Sequence, residues 1–189
     1  QDKIDIYFGT FAKSFASIGG FAASGTEVID WIRYNARSQV FAKSLPMVYV
    51  KSLQKTFELV KSGDPLRKKM WDNARALKDG LRGLGYFVGE GAAPICSVFI
   101  PIGESSVQEM GMKTVQFLRN EGIFVSAVVY PVIPLGLLMY RLIPTASHLP
   151  EDIEKTIAAY KTMRDTLRLS LEMGPDEMKK LSGIYGREE

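Results

Sequence analysis

Lys13 is the residue whose type and setting first suggest chemistry. The run Gly9-Thr10-Phe11-Ala12-Lys13-Ser14 places an amine in a loop of small residues directly after a strand-like segment, and Gly19-Gly20 lets the backbone pack closely beside it. An amine held in this way can attack a carbonyl or take a proton. Most lysines are solvated surface groups, so spacing alone leaves a surface amine and a catalytic one both open. Other chemistries lack material. The single cysteine, Cys96, has no internal disulfide partner, and with one histidine, His148, the chain falls short of a structural zinc set, so no metal site is expected. Cys96 and Met70, Met110, Met112 and Met139 read as packing groups.

The elements that must position Lys13 follow from periodicity. Ile4-Asp5-Ile6-Tyr7-Phe8-Gly9 reads as a short buried strand, and the loop after it runs through Gly20. A helix is predicted after Ser24-Gly25-Thr26, with Val28, Ile29, Ile32 and Ala36 inward. A second starts at Pro46, with Val48, Leu53, Phe57 and Val60 on one face, and Gly63 closes it. A third starts at Asp64-Pro65, its Leu66, Met70, Ala74, Leu77, Leu81 and Leu84 recurring at steps of three and four. Beyond Gly85 the pattern changes to a strand over residues 95–100, a helix over 106–120, two strands around residues 131–136, and a long helix from Pro150 with Ile153, Ile157, Tyr160, Leu167 and Leu171 inward. A boundary near Gly63 divides the chain into residues 1–62, too poor in strands to close a sheet, and residues 63–189, a small α+β domain.

With 189 residues, 46% apolar, 24% charged and a net charge of +3, the chain has the composition of a globular protein of one to one and a half domains. A surplus of three charges without a long basic run argues against nucleic acid as a partner. Residues 123–140 carry no charge, but Pro131, Pro134 and Gly136 interrupt them and their first half is β-branched, so strand, turn and strand is expected rather than a membrane helix. The N-terminal Gln1-Asp2-Lys3-Ile4-Asp5 has no apolar signal core, and the chain is expected to be an internal piece of a cytoplasmic protein with a reduced cysteine.

Three motifs carry a resemblance to a known family. Gly9-Thr10-Phe11-Ala12-Lys13-Ser14-Phe15-Ala16-Ser17-Ile18-Gly19-Gly20-Phe21 resembles the cofactor-lysine segment of the α-oxoamine synthases, pyridoxal 5'-phosphate (PLP) enzymes of aspartate-aminotransferase type. Val40-Phe41-Ala42-Lys43-Ser44-Leu45-Pro46 resembles the stretch that reaches the neighbouring subunit's cofactor. Pro131-Val132-Ile133-Pro134-Leu135-Gly136, Arg141, and Thr145-Ala146-Ser147-His148 before Glu151-Asp152-Ile153 are similar to the family's closing loop, carboxylate arginine and final helix. The motifs stand in the family's order and cover most of the chain. The implied fold class is α/β, the C-terminal half of a PLP-dependent transferase: the tail of the large domain with the Schiff-base lysine loop, then a small α+β C-terminal domain.

The resemblance implies roles residue by residue. Lys13 binds the cofactor covalently and then acts as base; Thr10 hydrogen-bonds the cofactor phosphate, where the bland reading is a turn hydroxyl; Arg141 holds the substrate carboxylate with its planar two-pronged donor, where the bland reading is a surface ion pair. Ala42 departs from the threonine or serine common at this cofactor-binding position, so only its backbone could contribute. That departure and Thr10-Phe11-Ala12-Lys13-Ser14-Phe15 lean toward serine palmitoyltransferase-like members. A second departure is Val129-Tyr130, where some bacterial members of that branch carry an additional arginine. The aspartate beneath the pyridine nitrogen and the histidine stacked on the ring belong to the other half of the family's length, and His148 is not that histidine.

The expected activity is therefore decarboxylating condensation of an amino acid with an acyl-CoA, first of L-serine with palmitoyl-CoA to 3-ketodihydrosphingosine in sphingolipid biosynthesis. Glycine with acetyl-CoA and alanine with a pimeloyl thioester are rivals within the class. A non-catalytic fragment or scaffold subunit is the rival outside it. The resemblance further implies a homodimer with its sites between subunits and at most peripheral membrane contact.

Overall fold

The computed structural model describes residues 3–186, so Gln1 and Asp2 of the N-terminal stretch read above lie outside it. The chain divides into two compact units, Gln1–Asp64 and Pro65–Glu189.

In the first unit, β1 (Tyr7–Thr10) pairs antiparallel with β2 (Gly20–Ala23), in the register Tyr7 opposite Ala23 and Thr10 opposite Gly20. The expected strand thus starts later, at Tyr7, and Gly20, the second of the glycine pair read as loop, is itself the start of a strand. Gly20 has to be glycine for this pairing, because a Cβ there would lie 2.6 Å from the Gly9 carbonyl oxygen. Rings fill the hairpin: Phe11 lies 5.5 Å from Phe15 and 5.6 Å from Phe21 between centroids, and Phe21 stacks on Tyr7 at 6.1 Å. Three helices follow, α1 (Thr26–Asn35), α2 (Arg37–Val40) and α3 (Met47–Lys61). α1 and α3 stand where the periodicity put them, while the short α2 was not expected, and the apolar faces of these helices are not covered. No described residue up to Asp64 is buried, and Phe8, Trp31, Tyr34, Phe41 and Val48 are largely exposed. The buried first strand expected from sequence is likewise an exposed one.

The second unit holds α4 (Asp64–Gly83), β3 (Phe87–Val88), β4 (Cys96–Phe99), α5 (Val107–Asn120), β5 (Ala127–Val128), β6 (Met139–Leu142), α6 (Pro150–Leu167) and α7 (Pro175–Tyr185). Its antiparallel sheet has the order β3-β4-β6-β5. The charge-free stretch is therefore strand, turn and strand, and among the described residues no helix is long and apolar enough to cross a membrane. Alternation along the strands gives the sheet two apolar faces. Cys96, Val98, Tyr140 and Leu142 pack with Leu77 and Leu81 of α4, Met110 and Leu118 of α5, and Ile153, Tyr160 and Met163 of α6. Phe99 and Met139, on the opposite face, pack with Leu181 of α7, while Phe87, Met178 and Tyr185 border them. Two buried hydroxyls are tied to backbone: Tyr86 Oη donates to the Tyr160 carbonyl at 2.8 Å and Thr114 Oγ1 to that of Met110 at 2.6 Å.

α7 corrects the expectation of one long final helix. α6 stops at Leu167, where Arg168 takes a left-handed conformation, and Gly174-Pro175 then starts a separate helix. Leu171 still packs against the core from the connecting segment. Because Leu181 is 1% exposed within a cluster of only four buried residues, Leu181→Ala is expected to cost about 2 kcal/mol of unfolding free energy. A urea titration showing no loss would mean that α7 does not close this face.

Cys96 is buried and free. Burial pushes its thiol up from 9.0 to about 11, with Lys78 and Arg82 opposing the shift. An acid whose folded pKa lies above its unfolded one stabilises the fold fully below the unfolded value, and that contribution fades as pH rises from 9.0 through about 11. Native protein at pH 8 is accordingly expected to leave Cys96 unmodified by a thiol-specific disulfide reagent until denaturant exposes it; immediate stoichiometric reaction would contradict the burial.

Candidate functional site

Lys13 lies in the loop between β1 and β2, and backbone hydrogen bonds shape that loop. Phe11 N donates to Gly19 O at 2.9 Å, Ser17 N to Phe11 O at 2.9 Å, and Ala16 N to Lys13 O at 2.8 Å. Gly19, at φ +86°, makes the turn back into β2. The Lys13 side chain is exposed and has no partner among the described residues.

Thr10 spans the neck of the same loop. Its hydroxyl accepts the Ala12 N–H at 3.2 Å and donates to Gly19 O at 3.4 Å. The turn role read for this hydroxyl is therefore real, and the long donor bond leaves the proton cheap to redirect toward an incoming anion. Ser17 Oγ, in the same loop, is a buried polar atom with no partner. Ala42 follows α2, is exposed, and offers no side-chain donor. Three residues on, Leu45 packs at the neck of the loop, since a Cβ on Gly19 would lie 3.0 Å from its Cδ2. An accessible amine, a redirectable hydroxyl and an orphaned serine oxygen on one stitched loop fit a phosphorylated aldehyde.

Arg141 lies in the second unit, on β6 opposite Ser97 of β4. Alternation puts it on the sheet face of Met139, beyond the cluster that α7 covers. Its guanidinium makes no hydrogen bond or ion pair with a described residue. It also lines a cavity of about 510 Å³ together with Phe124, Ser126, His148, Asp152 and Lys155. One wall of this cavity is a tied turn. Thr145 N donates to His148 Nδ1 at 2.9 Å, which makes Nδ1 an acceptor and puts the ring proton on Nε2. Asn73, 7% exposed on α4, donates to Thr145 O at 2.9 Å and His148 O at 3.0 Å.

The structure thus joins Thr10 and Lys13 in one loop and places Arg141 in the other unit. Sequence reading missed Asn73, Lys155 and Ser17. A signal existed for Asn73, a polar residue beside Ala74 and Leu77 on an apolar helical face; Lys155 looks like any solvated helical lysine. Among the described residues no cluster of side chains could hold a metal ion.

Known proteins resemble this arrangement. The chain is 47% identical over 168 residues to a cysteate-C-fatty acyltransferase of Capnocytophaga ochracea, covering 88% of this chain and 39% of that protein. It is 32% identical over 170 residues to an 8-amino-7-oxononanoate synthase of Thermoanaerobacter pseudethanolicus, covering 88% and 41%. Among solved structures, a serine palmitoyltransferase variant from S. paucimobilis with a bound PLP-myriocin aldimine superposes with a TM-score of 0.76 at 26% identity, covering 87% of this chain and 41% of the other. The chain spans about two fifths of the length of the curated relatives it matches. Residues 1–160 match the profile described as aminotransferase class I and II, and with these relatives beside it the chain belongs to that family, in its α-oxoamine synthase branch.

Proposed function

We propose that the full-length protein containing this chain is a PLP-dependent acyltransferase. It joins the α-carbon of an amino acid to the acyl group of an acyl-CoA, releasing CoA and carbon dioxide. The observation that carries this reading is the amine of Lys13, without a partner among the described residues, on a loop stitched at its neck by Thr10. In this reading residues 1–62 end the large cofactor domain and residues 63–189 form the small domain of a cytoplasmic homodimer.

PLP, when bound, supplies an electron sink for the carbanion left at the amino-acid α-carbon. Lys13 Nζ would hold the cofactor covalently and would serve as the base for the α-proton. Thr10 Oγ1, whose proton is weakly held by Gly19 O, would be available to the phosphate, and at Ala42 only the backbone could contribute. Arg141 would hold the substrate carboxylate by a charge-assisted pair of bonds, which the lack of a partner among the described residues supports.

L-serine with palmitoyl-CoA is the first choice of substrates, supported by Ala42 and the segment around Lys13. A second reading, L-cysteate with a fatty acyl-CoA, is favoured by the 47% identity to a cysteate-C-fatty acyltransferase. CoA release by the full-length protein, assayed with serine, cysteate, glycine and alanine against short and long acyl-CoA, separates them. Release that depends on serine or cysteate and a long chain is the expected result. No release with any pair, and no borohydride-stable PLP adduct on Lys13, would leave the scaffold reading instead.

A further inference from the structure

α7 lies outside residues 1–160, the part of the chain that matches the family profile, so the family match does not account for it. Met178, Leu181 and Tyr185 stand at helical spacing on its inner side and pack on the sheet face of Phe99 and Met139. Glu177 ties the start of the helix to the sheet: one carboxylate oxygen accepts the Gly174 N–H at 2.8 Å and the other the Ile102 N–H at 3.3 Å. Tyr185, at the far end, fills the space that a Cβ on Gly89 would need.

The same helix meets the connection between β5 and β6. That connection makes two successive turns, closed by Val132 N donating to Val129 O at 3.0 Å and Leu137 N to Pro134 O at 3.2 Å. Ile133, between the turns, packs against the cluster that Leu181 closes, and the buried Leu137 belongs to it. Gly136 takes φ +88°, and a Cβ there would lie 3.3 Å from Lys180 Nζ. Asp176, one turn earlier on α7, accepts a hydrogen bond from that ammonium and holds it in place. Three points of one loop thus rest on α7, while Tyr130, Val132 and Leu135 stay exposed.

We infer that α7 is a clasp that sets the conformation of residues 129–137, with Lys180 as its positioning residue. The inference rests on the acyltransferase reading above, in which this segment resembles the closing loop, and adds what holds that loop: a helix beyond the family match. A loop ordered before substrate arrives avoids the ordering cost at binding, so the clasp acts on KM rather than on the chemical step. Its exposed tip is apolar and uncharged, which suits the acyl chain of the thioester rather than a zwitterionic amino acid.

The test measures hydrogen exchange and CoA release on full-length parent, Lys180→Ala, Ile133→Ala and, as a control of equal charge change, the exposed Lys179→Ala. Lys180→Ala removes the clasp from the helix side and Ile133→Ala from the loop side. Both should speed exchange over residues 129–137 by about tenfold, as for local opening. The Ile123 amide, which donates to Leu118 O at the end of α5, should stay within about twofold, and Lys179→Ala should match the parent throughout. The KM for acyl-CoA should rise about fivefold in the two clasp variants, with kcat within about twofold. Equal acceleration at Ile123 would overturn the inference, since α7 would then add only global stability. So would unchanged loop exchange in an active enzyme, or a freed loop with an unchanged KM. Loop protection that depends on Lys180 in a protein that releases no CoA would sink only the acyltransferase reading.

Discussion

Lys13→Ala in the full-length protein is expected to lower amino-acid-dependent CoA release by about a thousandfold, within the range of a positioned general base and covalent anchor lost together. The variant should also lose the borohydride-stable PLP mass on the peptide carrying this position. The two readouts report different roles. Methylamine can replace a proton acceptor in part, but it cannot restore a covalent link to the chain. Since Lys13 is exposed and its carbonyl, not its side chain, bonds to Ala16 N, the substitution leaves the loop's hydrogen bonds intact, so a loss of activity is not a loss of fold. Activity within tenfold of the parent would remove Lys13 from the chemistry.

Arg141→Ala is expected to raise the KM for the amino acid by about a hundredfold, equivalent to about 3 kcal/mol of a bidentate charge-assisted contact. The KM for acyl-CoA should stay within about twofold. Arg141→Lys should recover only part of the loss, because an ammonium offers a point charge where the carboxylate matches a planar fork. Arg141 has no partner to orphan among the described residues, so truncation removes a ligand contact without stranding a buried charge. A proportional rise in both KM values, or a fall in thermal midpoint that accounts for the activity lost, would identify Arg141 as structural.

How much was legible beforehand differs between the units for a physical reason. In the second unit the apolar residues at steps of three and four along α4 meet a sheet that covers them, and Ala74, Leu77 and Leu81 are buried as their spacing implied. In the first, Val28, Val48 and Phe57 have the same spacing and stay exposed. Periodicity tells which face of a helix is apolar; what covers that face is decided by chain distant in sequence. The β2 pairing escaped for a related reason. Gly20 reads as a breaker in a window of neighbours, but its strand exists because the Gly9 carbonyl lies where only a glycine fits.

The sequence by itself determined the lysine loop, the family and the longer helices α1, α3, α4, α5 and α6, because small residues around Lys13, apolar periodicity and capping residues act over a few positions. Only the tertiary structure decided that Arg141 has no side-chain partner among the described residues, that Asn73 clamps the turn holding His148, and that Lys155 lines a cavity with Arg141 and His148. Those facts depend on residues far apart in the chain, such as 73 with 145 and 148, being brought within hydrogen-bonding distance by packing. No local window of sequence contains that distance.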